Sequence, residues 1–392
     1  MYISRDITKQ FNSAARLNNI VVVVGPRQAG KTTFLKEQSK KVGAQYISFD
    51  DPDVKDLFDR DIKGFENQYV RGEAVTILDE VQYGKDPGMK LKYLADSGKR
   101  LWVTSSSQLT LGKEVLSWLV GRAEVIRIYP FSLGEFLATK NIREVTEKIQ
   151  LRAVEEHMVY GGYPKVVLEP ERQDKELLLR GLAETITLKD MARTFQIEDI
   201  SSLERLSAYL SHYIGNVVIY GNICNDLGMS FQSVKKYMDA MEKSYLIVRI
   251  QPFYRNKLKE VLKQPKIYFI DTGLRNAIAN EFSISPEIKG KLFENYVLTE
   301  LIKSGANVRY WQTKGRAEVD FVVQKGSEII PIEVKVKANG SQVERSMHSF
   351  IATYAPKRGF VVFNEGLKSR IKVGSCIIKF TDISELISTL KQ

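Results

Sequence analysis

The chain has 392 residues, of which 43% are hydrophobic and 27% are charged, a composition typical of a soluble globular protein with more than one domain. No apolar run approaches the roughly 20 residues of a membrane span, and the first residues lack the apolar stretch of a secretory signal. Two distant cysteines and three histidines are too few for a disulfide framework or a Cys/His zinc cluster. We therefore expect a cytoplasmic protein of two to four domains.

The net charge of +11 is concentrated in the second half of the chain. Residues 1–200 hold 30 Lys and Arg against 29 Asp and Glu, whereas residues 201–392 hold 28 against 18. A basic half beside a neutral half suggests that the second half meets a polyanion such as DNA. The alternative is a surface that only keeps the protein in solution.

Strand and helix signals alternate over the first 130 residues. Short apolar, β-branched runs predict strands at residues 20–24, 46–49, 75–78, 101–104 and 125–128, with helical segments such as 32–41 between them. Repeated βα units indicate an α/β domain with a parallel sheet covered on both faces.

The pattern changes after about residue 132. Helix signals dominate up to residue 210, with a break at Gly161-Gly162-Tyr163-Pro164. Helices predicted at 203–213, 221–227 and 231–243, followed by a β-rich stretch at 245–252, match the plan of a winged helix-turn-helix. The last unit mixes predicted strands at 319–323, 330–336 and 359–363 with helices at 290–304 and 341–354.

A phosphate-binding loop follows the first strand. The segment matches G-x-x-x-x-G-K-[ST], with a strand before it and a helix after it, as the motif requires. Its backbone N–H groups and the helix N-terminus would hold phosphate, Lys31 would reach the β and γ phosphates, and Thr32 would ligate Mg²⁺. The predicted ATP-binding residues of this loop are Gly25, Pro26, Arg27, Gln28, Ala29, Gly30, Lys31, Thr32 and Thr33.

An acidic pair ends the third predicted strand, at the edge where ligands of parallel sheets bind. Asp79 would hold Mg²⁺ through water, and Glu80 would orient and deprotonate the attacking water. The next strand ends in hydroxyls, of which Ser106 or Ser107 could contact the γ-phosphate or the attacking water as a sensor; the alternative is a plain polar turn. Arg122 could act as an arginine finger, in cis or from a neighbouring subunit, or be a surface residue.

The helix predicted at 231–243 has an apolar face and a basic remainder. Residues 231–270 hold nine Lys and Arg against three acidic residues. Lys235, Lys236 and Lys243 could hold DNA phosphates while the helix reads base edges, or the element could serve protein contacts only.

A possible metal-dependent nuclease site lies in the last unit. Asp320 and Glu333 would meet across a hairpin that turns near residues 325–327, and alternation places Lys335 on the face of Glu333. Two carboxylates and a lysine around a divalent cation can cleave a phosphodiester bond, with Asp320 and Glu333 as metal ligands. Glu294, on a predicted helix, is a further candidate, although the D-x(n)-E-x-K pattern is loose.

The order of these motifs resembles that of a large prokaryotic family of AAA-type ATPases that join a P-loop domain to a C-terminal region related to the PD-(D/E)XK nucleases. The resemblance covers nearly the whole chain. It rests on the segments GPRQAGKTT, SFDDPD, ILDEVQ, YPFSLGEF, GGYP, DTGLR, FENYVLTEL, EVDFVV and IEVK. One departure is Ser105, where the family usually has glycine, and this leaves the identity of the sensor residue open.

The resemblance implies an ATPase domain at residues 1–140, a helical lid at 141–201, a winged helix at 202–262 and a nuclease-like α/β domain at 263–392. It places the nuclease positions on Glu294, Asp320, Glu333 and Lys335. We expect ATP and Mg²⁺ as cofactors, ATP hydrolysis that changes DNA binding by the basic half, and a possible homo-oligomer. Metal-dependent DNA cleavage and a non-cleaving switch that binds DNA or protein remain the alternatives. A chaperone-like remodeller of proteins is a third, favoured if the basic residues are scattered over the surface.

Overall fold

The computed structural model describes residues 2–70, 72, 74–106, 118–140, 142, 144–186, 191–254, 263–313, 315 and 317–391. The chain divides into two compact units. Unit 1 comprises residues 1–131 with 243–245, and unit 2 comprises residues 132–242 with 246–392. The finer division into four domains stays a prediction.

Unit 1 alternates strands with helices, as the sequence predicts. Its helices are Thr8–Leu17 (α1), Lys31–Ser39 (α2), Pro52–Arg60 (α3), Ile62–Tyr69 (α4) and Pro87–Asp96 (α5), with a 3₁₀ turn at Val81–Tyr83. Its strands are Ile20–Val24 (β1), Gln45–Ser48 (β2), Thr76–Asp79 (β3), Leu101–Ser105 (β4) and Ala123–Arg127 (β5). All five predicted strands are confirmed, with bounds that shift by no more than two residues.

The five strands form one parallel sheet in the order β2-β3-β4-β1-β5. Strand β1 lies between β4 and β5 and is fully buried, and its side chains alternate between two apolar clusters. Ile20, Val22 and Val24 pack on one face, while Val21 and Val23 pack on the other. Helices cover both faces, which explains why β1 is a continuous apolar run. The loop that follows β1 therefore starts at the end of a strand that is held by packing on both of its faces.

Unit 2 begins with helices and ends in a second α/β arrangement. Its helices are Leu133–Thr139 (α6), Glu147–Tyr160 (α7), Pro164–Val167 (α8), Arg172–Glu184 (α9), Ala192–Phe195 (α10), Ile200–His212 (α11), Tyr220–Leu227 (α12), Phe231–Lys243 (α13), Thr272–Ala279 (α14), Pro286–Lys303 (α15), Arg345–Tyr354 (α16) and Ile383–Lys391 (α17). Its strands are Ile247–Ile250 (β6), Lys266–Phe269 (β7), Val308–Gln312 (β8), Glu318–Lys325 (β9), Glu328–Ala338 (β10), Arg358–Gly366 (β11), Ser369–Val373 (β12) and Cys376–Thr381 (β13).

Six of these strands form a mixed sheet in the order β12-β13-β11-β10-β9-β8. Strands β10, β11 and β13 are parallel neighbours, whereas β9 pairs antiparallel with β10 and β8. The predicted hairpin is confirmed: Lys325 pairs with Glu328, and Gly326 in the turn has a φ of +60°. Strands β6 and β7 form a separate antiparallel pair.

Three helices begin three or more residues away from their predicted starts, each for a local reason. Helix α15 begins at Pro286 rather than residue 290, because proline at the first helical position already has the φ that a helix requires. Helix α11 begins at Ile200 rather than residue 203, because the Asp199 side chain caps it by accepting from the Ser202 N–H at 2.9 Å. Helix α16 begins at Arg345 rather than residue 341, because Asn339 holds a turn by accepting from the Ser341 N–H.

In the parts of the chain that the structure describes, no helix combines the length and the apolar character that crossing a bilayer requires.

Candidate functional site

The loop between β1 and α2 has the curled backbone that the sequence predicts. Gly30 (φ +94°) and Gln28 (φ +58°) both adopt left-handed conformations. Gly25 has no room for a side chain, because a Cβ there would lie 2.0 Å from the carbonyl oxygen of Ile128. The structure thus explains the first glycine of the motif by its close approach to the chain that follows β5.

Lys31 is buried in this loop, with 5% of its surface exposed. Its ammonium group donates to the carbonyl oxygens of Gly25 at 3.1 Å and Pro26 at 3.0 Å, and lies 3.9 Å from a Glu80 carboxylate oxygen. The lysine is therefore placed inside the loop and beside the acidic pair. Thr33 is exposed on α2, and Arg27 donates to the Tyr83 hydroxyl at 2.8 Å.

Asp79 accepts hydrogen bonds from three hydroxyl groups. Thr32 donates to both of its carboxylate oxygens, at 2.9 and 3.0 Å, and Thr104 and Tyr46 each donate at 2.6 Å. Burial, followed by the hydrogen bond to Asp79, raises the pKa of the Tyr46 phenol well above its usual value. Thr32 and Asp79 present adjacent hard oxygen atoms, which fit Mg²⁺.

Glu80 is held by a second set of polar groups. Its backbone has a left-handed φ of +56°, and its N–H donates to the Thr104 hydroxyl at 2.8 Å. One carboxylate oxygen accepts from the Ser106 hydroxyl at 2.9 Å and from the Gln82 amide. Ser106 is thus brought to Glu80, whereas Ser107 lies outside the described residues. A sensor role for Ser106 stays a prediction.

Arg122 does not lie at this site. Its carbonyl oxygen accepts from the Ile20 N–H at the start of β1, while the phosphate loop follows the end of that strand. Its guanidinium pairs with Asp96 at 2.6 Å. Because parallel strands point the same way, the structure contradicts a role for Arg122 in cis at the nucleotide within unit 1; a finger acting on a neighbouring subunit stays a prediction.

Three residues of the nucleotide site were missed from the sequence: Tyr46, Gln82 and Thr104. Thr104 belongs to the hydroxyl-rich end of β4, which is the sequence signal that could have found it, and the pairing of β4 with β3 places its hydroxyl beside Asp79. Tyr46 gives no sequence signal, because it reaches Asp79 only through the pairing of β2 with β3.

The structure also brings together the four residues predicted for the second site, all within unit 2. Asp320 on β9 accepts from the Val334 N–H on β10 at 2.8 Å, and the ammonium of Lys335 lies 3.1 Å from Glu333. Glu294 on α15 influences the protonation of both Asp320 and Glu333. The predicted convergence across the hairpin is therefore present.

Glu294 is nevertheless engaged by other groups. The Tyr268 hydroxyl donates to it at 2.5 Å, and the ammonium groups of Lys266 and Lys291 lie at 3.5 and 3.0 Å. Burial alone would raise the pKa of Glu294, but the two lysines and the tyrosine lower it. Lys266, which is 1% exposed and also pairs with Glu318, supplies an internal cation that the sequence did not reveal.

Asp320 and Glu333 differ from Glu294 in their electrostatics. Burial raises the pKa of Glu333 to about 7, although Lys335 acts in the opposite sense. Burial, and then the charges of Glu333 and Glu294, raise the pKa of Asp320 well above its usual range. The buried oxygen Oε2 of Glu333 has no hydrogen-bond partner among the described residues.

The burial, charge and hydrogen bonding of this carboxylate cluster determine which of its residues could bind a metal ion. Among the described residues, no group of three or more His, Cys, Asp and Glu side chains has the geometry to hold one. Two adjacent carboxylates with raised pKa values and an unpaired buried oxygen do fit one hard divalent cation, which would relieve their repulsion. Asp320 and Glu333 therefore have the chemistry of metal ligands, and metal binding by them stays a prediction, whereas the carboxylate of Glu294 is already paired with Lys266 and Lys291.

The lysines predicted to contact DNA lie on α13, where Val234, Tyr237, Met238 and Met241 form the buried face. Lys235 and Lys236 are exposed, and Lys243 is half-buried. The ammonium of Lys236 donates to the Gln196 carbonyl at 2.9 Å.

Comparisons with known families divide the chain into three matched stretches. Residues 17–137 match the model of the AAA domain. Residues 151–285 and 289–383 match two models that are each described as a domain of unknown function, DUF8612 and DUF4143.

Relatives of similar length occur in bacteria and archaea. A protein of Haemophilus influenzae is 27% identical over 84% of this chain and 86% of its own length. A protein of Methanocaldococcus jannaschii is 27% identical over 85% of this chain and 78% of its own, and one of Mycobacterium tuberculosis is 24% identical over 92% and 79%. All three are described as uncharacterized proteins.

Similarity to solved structures is weaker. The Walker-type ATPase of Pyrococcus abyssi is 14% identical and covers 71% of this chain and 96% of its own, with a TM-score of 0.48. A STAND protein of Pyrococcus horikoshii with a tetratricopeptide repeat sensor is 14% identical and covers 78% and 46%, with a TM-score of 0.31. At such scores neither similarity carries weight. The AAA match and the loop geometry support a prokaryotic P-loop AAA-type ATPase, whose AAA domain lies at residues 17–137.

Proposed function

We propose that unit 1 binds Mg²⁺-ATP and hydrolyses it. The observation that carries this proposal is the grouping of Lys31, Thr32, Asp79 and Glu80 at the carboxyl ends of β1 and β3. Lys31 would move from its carbonyl partners to the β and γ phosphates, and Thr32 and Asp79 would hold Mg²⁺. Glu80, freed from Ser106 and Gln82, would orient the attacking water and accept its proton.

ATP turnover by two variants tests this assignment. Lys31→Ala should abolish nucleotide binding, because the lysine supplies the charge inside the loop. Glu80→Gln should still bind ATP but hydrolyse it at least about 100-fold more slowly, the loss typical of removing a catalytic general base. Lys41→Ala, an exposed lysine just after α2, is the matched control and should behave like the wild type. Normal turnover in Lys31→Ala would refute the proposal.

For unit 2 we propose DNA as the partner, contacted through a winged helix. Helices α11, α12 and α13 followed by the antiparallel pair β6–β7 have the element order of such a module, and Lys235 and Lys236 are exposed on its third helix. The double variant Lys235→Glu/Lys236→Glu should weaken DNA binding and reduce its salt dependence. Lys148→Glu/Lys165→Glu, which also reverses two lysines, is a control for net charge. Equal loss in both variants would leave no role for α13.

A second candidate function is metal-dependent DNA cleavage in unit 2. It is favoured by the unpaired Glu333 oxygen beside Asp320 and by the ammonium of Lys335. A divalent cation there would polarise the phosphodiester, while Lys335 would orient the nucleophile. Cleavage of plasmid DNA with Mg²⁺ or Mn²⁺ should disappear in Asp320→Ala and Lys335→Ala but persist in Lys337→Ala, two residues further along β10. Binding without cleavage by the wild type would instead favour a switch in which ATP turnover changes DNA binding.

A further inference from the structure

An arginine ahead of the first helix contacts the phosphate-binding loop from behind. Arg5 is only 6% exposed, although it precedes α1 and lies 24 residues from the loop residue that it contacts. Its Nη1 donates to the Ala29 carbonyl oxygen at 2.8 Å. Its Nη2 donates to the Tyr129 carbonyl oxygen, and the guanidinium carbon lies 4.8 Å from the centre of the Phe131 ring. Arg5 thus connects the loop to the segment that follows β5.

The direction of the Ala29 carbonyl sets the direction of the next N–H group of the loop. It shares one planar, trans peptide group with the Gly30 N–H, so these two groups point in opposite directions. Holding the carbonyl toward Arg5 turns the Gly30 N–H toward the other side of the loop. Gly30 has a φ of +94° and precedes Lys31, where a phosphate loop presents its N–H groups to the nucleotide.

We propose that Arg5 is a positioning residue of the nucleotide site, which fixes the Ala29–Gly30 peptide so that the Gly30 N–H faces the phosphates. This inference rests on the proposed ATP binding at the same loop. Without the guanidinium, the Ala29–Gly30 peptide plane can rotate. Nucleotide binding must then fix the direction of the Gly30 N–H, and this loss of conformational freedom lowers the affinity.

The contact to Tyr129 makes the support specific for arginine. Gly25, at the start of the loop, lies too close to Ile128 for any side chain. Both ends of the loop are therefore held against residues 128–131, Gly25 directly and Ala29 through Arg5. A planar guanidinium can donate to Ala29 and Tyr129 at once, whereas a lysine ammonium on a flexible stem would hold one carbonyl less firmly. We therefore expect a lysine at position 5 to hold the loop less firmly than arginine does but more firmly than alanine.

Steady-state ATP turnover and ADP binding by calorimetry test the proposal with the full-length chain. A hydrogen bond to a charged donor is worth about 1.5 kcal/mol or more, so Arg5→Ala should raise both KM for ATP and Kd for ADP about tenfold. Arg5→Lys should raise them by about threefold, the loss of part of this contact. Because the Gly30 N–H would contact phosphate in both the ground state and the transition state, kcat should change less than about threefold.

Arg100→Ala is the matched control, since this exposed arginine also donates to a backbone carbonyl of unit 1, that of Ala15, at 2.8 Å. It should leave KM and Kd unchanged. A merely structural role for Arg5 predicts a different pattern, in which kcat falls with the folded fraction while KM stays constant. That pattern would overturn the proposal, as would wild-type ADP affinity in folded Arg5→Ala.

Two further outcomes can be distinguished: a variant that does not fold and a wild type that binds no nucleotide. If Arg5→Ala does not fold by circular dichroism, Arg5→Lys decides alone: a raised KM with a normal melting temperature supports the proposal, and an unchanged KM overturns it. If the wild type binds neither ATP nor ADP, the proposed function itself fails and takes this inference with it.

Discussion

Thr32 donates its hydroxyl hydrogen bond to both carboxylate oxygens of Asp79, at 2.9 and 3.0 Å, across 47 residues of sequence. The first residue lies at the N-terminus of α2 and the second at the end of β3. These two side chains are the magnesium ligands that the sequence predicts, and the structure places their oxygen atoms in direct contact. A cation that enters here would replace the hydroxyl hydrogen bond with coordination.

The first prediction concerns this pair. Asp79→Asn removes the charge that would hold Mg²⁺ while preserving the size of the side chain, and we expect ATP turnover to fall by about 10²–10³-fold. Asp50→Asn, an exposed carboxylate just past the end of β2 on the same sheet, is the control and should change turnover by less than about threefold. Turnover measured over a range of Mg²⁺ concentrations checks both variants; an unaffected Asp79→Asn would exclude the proposed metal role.

Tyr46 is predicted to orient Asp79. Tyr46→Phe removes only the hydroxyl that donates to the carboxylate at 2.6 Å, so the Mg²⁺ concentration for half-maximal turnover should rise about threefold to tenfold. Tyr93→Phe is a matched control, because the Tyr93 hydroxyl donates at 2.9 Å to a different carboxylate of unit 1, that of Glu66. A Mg²⁺ requirement that rises equally in both variants would show a general loss of stability.

A third prediction concerns the break between α7 and α8 in unit 2. Gly161 has a φ of +69°, and a Cβ there would lie 1.9 Å from a carboxylate oxygen of Asp271, which also accepts from the Gly162 N–H at 2.8 Å. Gly161→Ala should therefore lower the free energy of unfolding by about 3 kcal/mol or more, from backbone strain and a broken buried contact. Urea denaturation of the full-length chain, followed by circular dichroism, measures the change.

Gly181 in α9 provides the opposite case for the same substitution. It lies inside the helix with open space around it, so Gly181→Ala should raise stability by about 0.5–1 kcal/mol. Equal effects of the two alanines would contradict the contacts described at Gly161.

The fourth prediction is a pH dependence centred on Glu333. Its pKa in the folded protein, about 7, lies above the ordinary glutamate value, so the folded state binds a proton more tightly than the unfolded chain. Its contribution to stability is complete below about pH 4.5 and is lost as pH rises through about 7. In metal-free buffer, the stability of Glu333→Gln relative to the wild type should therefore rise by about 2–3 kcal/mol between pH 4.5 and pH 8.

Metal ions provide the second arm of this experiment. At pH 8, saturating Mg²⁺ should stabilise the wild type more than Glu333→Gln, because the substitution removes a carboxylate that would ligate the metal. Denaturation curves of both proteins with and without Mg²⁺ measure this difference. Parallel pH profiles for the two proteins would contradict the raised pKa.

The sequence by itself determined the elements that depend on local periodicity and on motif spacing. The apolar run of β1, the glycines and Lys31 of the loop, and the acidic pair after β3 all follow from residues close together in the chain. The β9–β10 hairpin follows in the same way, because its turn and its two-residue alternation fix which side chains share a face.

Only the tertiary structure decided which distant groups meet. Arg5 and Tyr46 reach the nucleotide site through packing against the loop and through strand order, and neither leaves a pattern in the sequence. Lys266 lies 28 residues before Glu294, yet strand β7 buries its charge against that carboxylate. The edge of the sheet on which Arg122 lies is likewise a property of strand direction. The chain encodes local conformation in short patterns, whereas burial and charge pairing depend on how those patterns pack.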